Sequence, residues 1–211
     1  MWWKITFPHD TEPWFLWCTY GMSGQWSSSS TKHTCFSVVT EDVQLFFNDP
    51  RHFGTIKFVR GDIEHQKKLN TLGPCILSGG VTPEIFAKRL LKKPSATIAE
   101  ALMNQGGVSG VGNYIKAECL YRARISPWRK VSDITSGEYV NLCEATLNVA
   151  RESYQSQGAS IYTYTNPDEH KGSMQFNFCV YSQSTCPKGH DIRNEETPEG
   201  RTSWWCPVCQ R

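Results

Sequence analysis

Over the first 60 residues, apolar and polar positions alternate in short runs. Ile5 to Phe7, Trp14 to Thr19, Thr34 to Val39, Gln44 to Phe47 and Thr55 to Val59 are rich in aromatic and β-branched side chains, which suit a pleated, half-buried surface. Pro8, Pro13, the turn from Gly21 to Gly24, the serine run from Ser27 to Ser30 and Asp49-Pro50 separate them. This spacing predicts an antiparallel sheet or sandwich, although 60 residues is thin for a closed one. From Thr82 the period lengthens. Pro83 and the run that follows it, stopping before Pro94, carry helix start and stop signals. Further helices are predicted from about Thr97 to Gln105, Asn113 to Ala123 and Ser136 to Gln157. In the longest, Tyr139, Leu142, Cys143, Leu147, Ala150 and Tyr154 fall near helical spacing, with Gly158 as its C-cap. From Phe176 onward the pattern returns to strands and turns. The predicted class is therefore α+β and multidomain: a partial antiparallel β-sandwich over 1–75, a helical domain over 82–175 and a small metal-bound hairpin over 176–211.

Composition narrows this picture. The chain has 211 residues, 39% hydrophobic and 20% charged, with a net charge of +2, so a nucleic-acid surface would have to be local. No apolar run approaches the roughly 20 residues of a membrane span, and Met1-Trp-Trp-Lys is not a signal peptide. Of the nine cysteines, Cys18, Cys35, Cys75, Cys119, Cys143 and Cys179 are scattered singly. A secreted disulfide scaffold would be shorter and more evenly spaced. A reduced, intracellular protein (nucleus, nucleoid or cytoplasm) with one metal site is expected.

That site is at the C-terminus. Cys186-Pro-Lys-Gly-His190 and Cys206-Pro-Val-Cys209 each form a knuckle, because ligands two to four residues apart let one tight turn supply two of the four that tetrahedral Zn2+ needs. The fifteen residues between His190 and Cys206 suit a β-hairpin with its tip near Pro198-Glu-Gly-Arg201. Four protein ligands leave no open position, so the zinc is expected to be structural.

The other informative stretch runs from Leu102 to Pro127. Gly106, Gly107, Gly110 and Gly112 separate two predicted helices. They could simply form a tight interhelical turn, or they could let another backbone approach closely. The helix that opens at Asn113 would point its free N–H groups and positive dipole end outward, a ready phosphate site. This run resembles the helix–two-turns–helix motif of the formamidopyrimidine-DNA glycosylase/endonuclease VIII family, with Asn113 matching the family's phosphate-binding asparagine. Gly200-Arg-Thr-Ser-Trp-Trp-Cys-Pro-Val-Cys-Gln210 is similar to the family's zinc-finger hairpin, with Arg201 at its phosphate-contacting arginine. The ligand set Cys186, His190, Cys206 and Cys209 is like that of some endonuclease VIII-like members, whereas the bacterial formamidopyrimidine enzymes mostly use four cysteines. Tyr20-Gly-Met-Ser-Gly24 and Asn48-Asp-Pro-Arg-His-Phe-Gly54 resemble the loops that fill the gap left by an extruded nucleotide, which implies Met22, Arg51 and Phe53 as void-filling residues. An apolar wedge with a guanidinium offsets part of an unstacking cost of a few kcal/mol. Thr19 stands where many members carry a histidine, which puts one phosphate contact in doubt.

The resemblance implies a DNA glycosylase/abasic-site lyase of base excision repair, a monomer acting on double-stranded DNA that holds a damaged base or an abasic site and cleaving by β,δ-elimination. The family's nucleophilic proline, its neighbouring glutamate and an early-strand lysine have no match here: the chain starts Met1-Trp-Trp-Lys-Ile-Thr-Phe, and Lys4 lies too late for that lysine. The first third to half of the N-terminal domain is therefore expected to be absent, chiefly through an incomplete gene model, leaving Trp2, Trp3, Trp14 and Trp17 on an uncovered face and the polypeptide as written a poor catalyst. A non-catalytic damaged-DNA binder with the same grip is the rival, and a zinc-ribbon module for protein contacts is a third option. Lys116, Lys130 and Lys188 are expected on solvated surface. The segment 158–174 falls where a lesion-reading loop would lie, and purine or pyrimidine preference stays open.

Overall fold

The N-terminal run forms six strands: β1 (Trp2–Ile5), β2 (Trp14–Thr19), β3 (Gln25–Ser27), β4 (Thr34–Val39), β5 (Gln44–Asn48) and β6 (Thr55–Arg60). The computed structural model describes residues 1–21, 23–159 and 171–211. The strands make two antiparallel three-stranded sheets, ordered β1-β2-β6 and β3-β5-β4. Leu16 and Cys18 of one sheet meet Trp26 and Phe47 of the other in a buried cluster, flanked by Trp3, Ile5, Phe36 and Ile56. The predicted partial sandwich is therefore present.

Two details differ from the sequence pattern. The first strand lies earlier than predicted because β1 registers against β2 as Trp2↔Trp17 through Ile5↔Trp14, while Phe7 enters a turn closed by Asp10 N–H to Phe7 O. The tryptophans are also better covered than expected. Trp2 is 45% exposed, but Trp3 packs on the cluster core, Trp14 meets Arg60, and Trp17 donates to His65 Nδ1 at 3.2 Å. His65 belongs to α1 (Asp62–Leu69), a helix with no apolar stripe and Asp62, Glu64, Lys67 and Lys68 placed to suit its dipole. Its anchor is tertiary: the His65 ring stacks on Phe15 with centroids 3.7 Å apart. Residues 1–70 and 156–175 group into one compact unit, in which Ala159 forms an antiparallel bridge with Ser173.

The second unit comprises 71–155 and 176–211. Its helices are α2 (Pro83–Leu90), α3 (Ile98–Met103), α4 (Asn113–Ala123) and α5 (Ser136–Gln155), followed by the hairpin strands β7 (Arg193–Thr197) and β8 (Arg201–Trp205). Thr82 and Thr97 cap α2 and α3, accepting from Ile85 N and Glu100 N. Thr135 and Glu138 form a reciprocal capping box at the start of α5. Arg122 holds Glu152 through two bonds of 2.7 Å, joining α4 to α5. Among the described residues, no helix is long and apolar enough to cross a membrane.

Candidate metal centre and nucleic-acid interface

The turn between α3 and α4 is built by side chains as much as by glycine. Gln105 donates to Met103 O and Val111 O, and its Oε1 accepts from Gly110 N at 2.9 Å. One amide thus spans the loop. Gly110 has φ +97°, where a side chain would be strained, and a Cβ on Gly73 would stand 2.0 Å from Gly107 O. The glycine-rich turn is therefore a close backbone approach between 73 and 107, the second of the two roles the sequence allowed. Gly112 caps α4 in extended geometry with no side-chain bond, which leaves the helix's first N–H groups without a side-chain cap.

α4 has no solvent face. Lys116 and Glu118 are both fully buried, which corrects the expectation that Lys116 is solvated. Lys116 Nζ meets Glu199 Oε1 at 2.7 Å. Burial pulls the Lys116 ammonium below its ordinary pKa, and Glu199 only partly offsets that pull. The Glu118 carboxylate accepts three backbone N–H bonds, from Cys179, Val180 and Tyr181, at 2.8–2.9 Å. It thereby fixes the strand of chain leading into the first knuckle. At the second knuckle, buried Gln210 accepts from Cys206 N and donates to Ile125 O. The approach to the first knuckle is thus tied to the middle of α4, and the second knuckle to the chain just past its C-terminus.

Cys186, His190, Cys206 and Cys209 converge, with their ligand atoms all within 4.8 Å of one another. The His190 Nδ1 lies 3.6, 3.3 and 3.8 Å from the sulfurs of Cys186, Cys209 and Cys206. One imidazole nitrogen carries at most one proton and cannot serve three sulfurs as hydrogen-bond partners. Zinc bond lengths in a tetrahedral arrangement put sulfur and nitrogen about 3.6 Å apart, so the four residues fit a metal ion. The cysteines divide accordingly. Burial pushes Cys119 up to about 12, and Cys143 and Cys179 up to about 11. Burial also opposes ionisation of Cys186, but the backbone N–H groups of His190 and Lys188 hold it down at about 6. Cys209 is raised by burial and by the neighbouring Cys206 and Cys186 sulfurs, a repulsion that a cation among them relieves.

The remaining candidates separate by unit. In the first, Arg51 and Phe53 lie together on an exposed loop, the guanidinium 4.7 Å from the ring centroid. Buried Asp49 shapes that loop by accepting from Ser23 Oγ, Gly54 N and Arg51 N. His52 sits at φ 54° between the two candidates. Thr19 Oγ1 is 2.7 Å from Thr55 Oγ1. Met22, and most of the 158–174 segment, lie outside the described residues. In the second unit, exposed Arg201 opens β8 opposite Thr197, and Asn113 Nδ2 donates to Thr202 O at 3.0 Å. The Asn113 side chain is therefore fixed to the residue that follows Arg201. Sequence reasoning missed Gln105, Glu118, Glu199 and Gln210. The available signal was helical angle: residues 116 and 118 lie about 200° apart around a helix, so one solvent face cannot hold both charges.

Residues 72–165 match the family model described as the formamidopyrimidine-DNA glycosylase H2TH domain. The formamidopyrimidine-DNA glycosylase of Thermus thermophilus is 34% identical over 196 residues, covering 90% of this chain and 73% of that protein. The Rhodopseudomonas palustris protein of the same name is 33% identical over 188 residues. There the match takes in 85% of this chain but only 64% of the relative's length. The crystal structure of the Thermus thermophilus protein superposes with a TM-score of 0.86 at 32% identity, covering 93% of this chain and 76% of that one. A Lactococcus lactis formamidopyrimidine-DNA glycosylase bound to DNA containing an abasic site gives 0.83 at 25% identity, covering 95% and 76%.

Proposed function

Because this chain belongs to the formamidopyrimidine-DNA glycosylase family, we propose that it serves base excision repair, recognising duplex DNA with an oxidised base or an abasic site as part of a DNA glycosylase/abasic-site lyase. One observation carries this most directly. The uncapped N-terminus of α4 and the start of β8, where Arg201 lies, are held together by the Asn113–Thr202 bond. Helix N–H groups, an amide and a guanidinium then address neighbouring phosphates. Asn113 and Arg201 are the proposed phosphate contacts. Met22, Arg51 and Phe53 are the proposed void-filling residues, and the cation–π contact between the last two supports a preformed wedge. Zn2+ is the proposed metal, held by Cys186, His190, Cys206 and Cys209. Bound there it would supply structure alone, fixing β7 and β8 so that Arg201 is presented at a constant position. The protein would work as a reduced, intracellular monomer.

Borohydride trapping on an abasic-site duplex, beside strand-nicking assays, tests the proposal. A covalent adduct and nicking support the lyase. Salt-dependent binding without an adduct supports the non-catalytic damaged-DNA binder. Absence of adduct, nicking and binding together would overturn both.

A further inference from the structure

The buried ion pair between α4 and the hairpin turn has no evident role in folding. Lys116 is 0% exposed at its side chain and Glu199 11%, with Nζ and Oε1 2.7 Å apart. Placing two charges there is costly, and such a pair stabilises a fold only when its remaining polar atoms are also satisfied. Here they are not: Glu199 Oε2 is buried with no hydrogen-bond partner among the described residues. Two apolar side chains of similar volume would hold α4 to the hairpin at least as well. What an ion pair adds over an apolar contact is direction and distance.

Its position gives that direction a use. Glu199 lies two residues before Arg201, in a turn closed by Gly200 N to Thr197 O with Gly200 at φ +72°. The Thr197 hydroxyl stands 2.7 Å from both Glu199 Oε1 and the Arg201 carbonyl, linking the carboxylate to the arginine's own backbone. One residue after Arg201, Asn113 holds Thr202 O. Asn113 and Lys116 are three apart and so neighbours on α4. The helix thus grips the chain on both sides of Arg201.

We propose that Lys116 and Glu199 form a positioning pair, which sets the hairpin turn so that the Arg201 guanidinium faces the same DNA phosphates as the N-terminus of α4. The pair does not touch DNA, because Lys116 is fully buried. This rests on Arg201 being a phosphate contact, as proposed above.

The test is a charge-neutral double variant of the full chain, Lys116→Met with Glu199→Leu, compared with wild type and with Arg201→Ala. Each is measured for metal content, melting temperature and binding to an abasic-site duplex between 50 and 200 mM salt. The double variant is expected to keep its metal and melt at or above the wild-type temperature. It should bind about tenfold more weakly, as for one lost charged contact, with a salt slope smaller by about one. Adding Arg201→Ala to it should cost little more, since both changes remove the same contact. Binding as tight as wild type, with Arg201→Ala weakened, would overturn the positioning role and leave the phosphate contact standing. If Arg201→Ala itself binds normally, the phosphate contact fails and the positioning role with it. Should the double variant not fold, Glu199→Asp keeps the charge and shortens its reach. That variant must show reduced affinity and slope, and wild-type values would equally overturn the proposal. Lys116→Arg, which can still reach Glu199, is expected to keep near-wild-type binding.

Discussion

Glu118→Gln isolates the contact that fixes the approach to the candidate metal centre. The wild-type carboxylate accepts from Val180 N and Tyr181 N through Oε1 and from Cys179 N through Oε2. The glutamine oxygen can keep the first two bonds, but its NH2 then faces the Cys179 N–H, donor against donor. Two charge-assisted bonds become neutral ones at about 1 kcal/mol each, and the third is lost with a donor stranded, at about 1–3 kcal/mol. The expected loss is about 3–5 kcal/mol. In a unit of roughly 120 residues this lowers the melting temperature by on the order of 12–20 °C. Because Val180 packs with Cys186 and Cys206, metal affinity should fall in parallel. Urea unfolding at fixed free zinc gives the energy, and amide exchange locates it at residues 179–181. A loss below about 1 kcal/mol, or unchanged exchange there, would refute the assignment of this carboxylate as the anchor.

Three further outcomes follow from the same structure. Chelation, or His190→Ala, should release the hairpin and abolish DNA binding, while the sandwich unit melts unchanged; fluorescence from Trp204 and Trp205 reports the release. Arg129 beside Glu138 holds that carboxyl down from 4.5 to about 2. Its contribution to stability is therefore fully present above pH 4.5 and is lost as pH falls toward 2, so Glu138→Gln should flatten the acid limb of stability against pH in that window. Gly73→Ala drives a methyl into Gly107 O and should destabilise the helical unit by about 3 kcal/mol or more, seen as a lower urea midpoint.

The Cys186, His190, Cys206 and Cys209 cluster was readable in the sequence because ligand chemistry fixes residue type and spacing within each knuckle, whatever the surrounding fold. The helices from Thr82 onward were readable because their threonine and proline caps act locally. The structure supplied what depends on distant partners. Lys116 looks solvated until Glu199, 83 residues on, is brought to it. Glu118 and Gln210 look like surface polar residues, yet their partners are backbone groups of another segment. α1 carries no periodic signal because its anchor, His65, is held by aromatic rings from β2. β3 is only three residues long and runs into serines that read as a break. The candidate wedge at Arg51 and Phe53 could be located from its family likeness, but the role of Asp49 in shaping that loop could not.

The proposed grip of this chain on damaged duplex DNA acts through phosphates. Its most direct test is wild-type affinity, by fluorescence anisotropy, for an abasic-site duplex against the same duplex undamaged, from 50 to 200 mM salt. Tighter binding to the abasic duplex is expected, with a linear log–log fall with salt at a slope of about −0.9 per phosphate contacted. Equal affinity for the two duplexes, or affinity indifferent to salt, would contradict it.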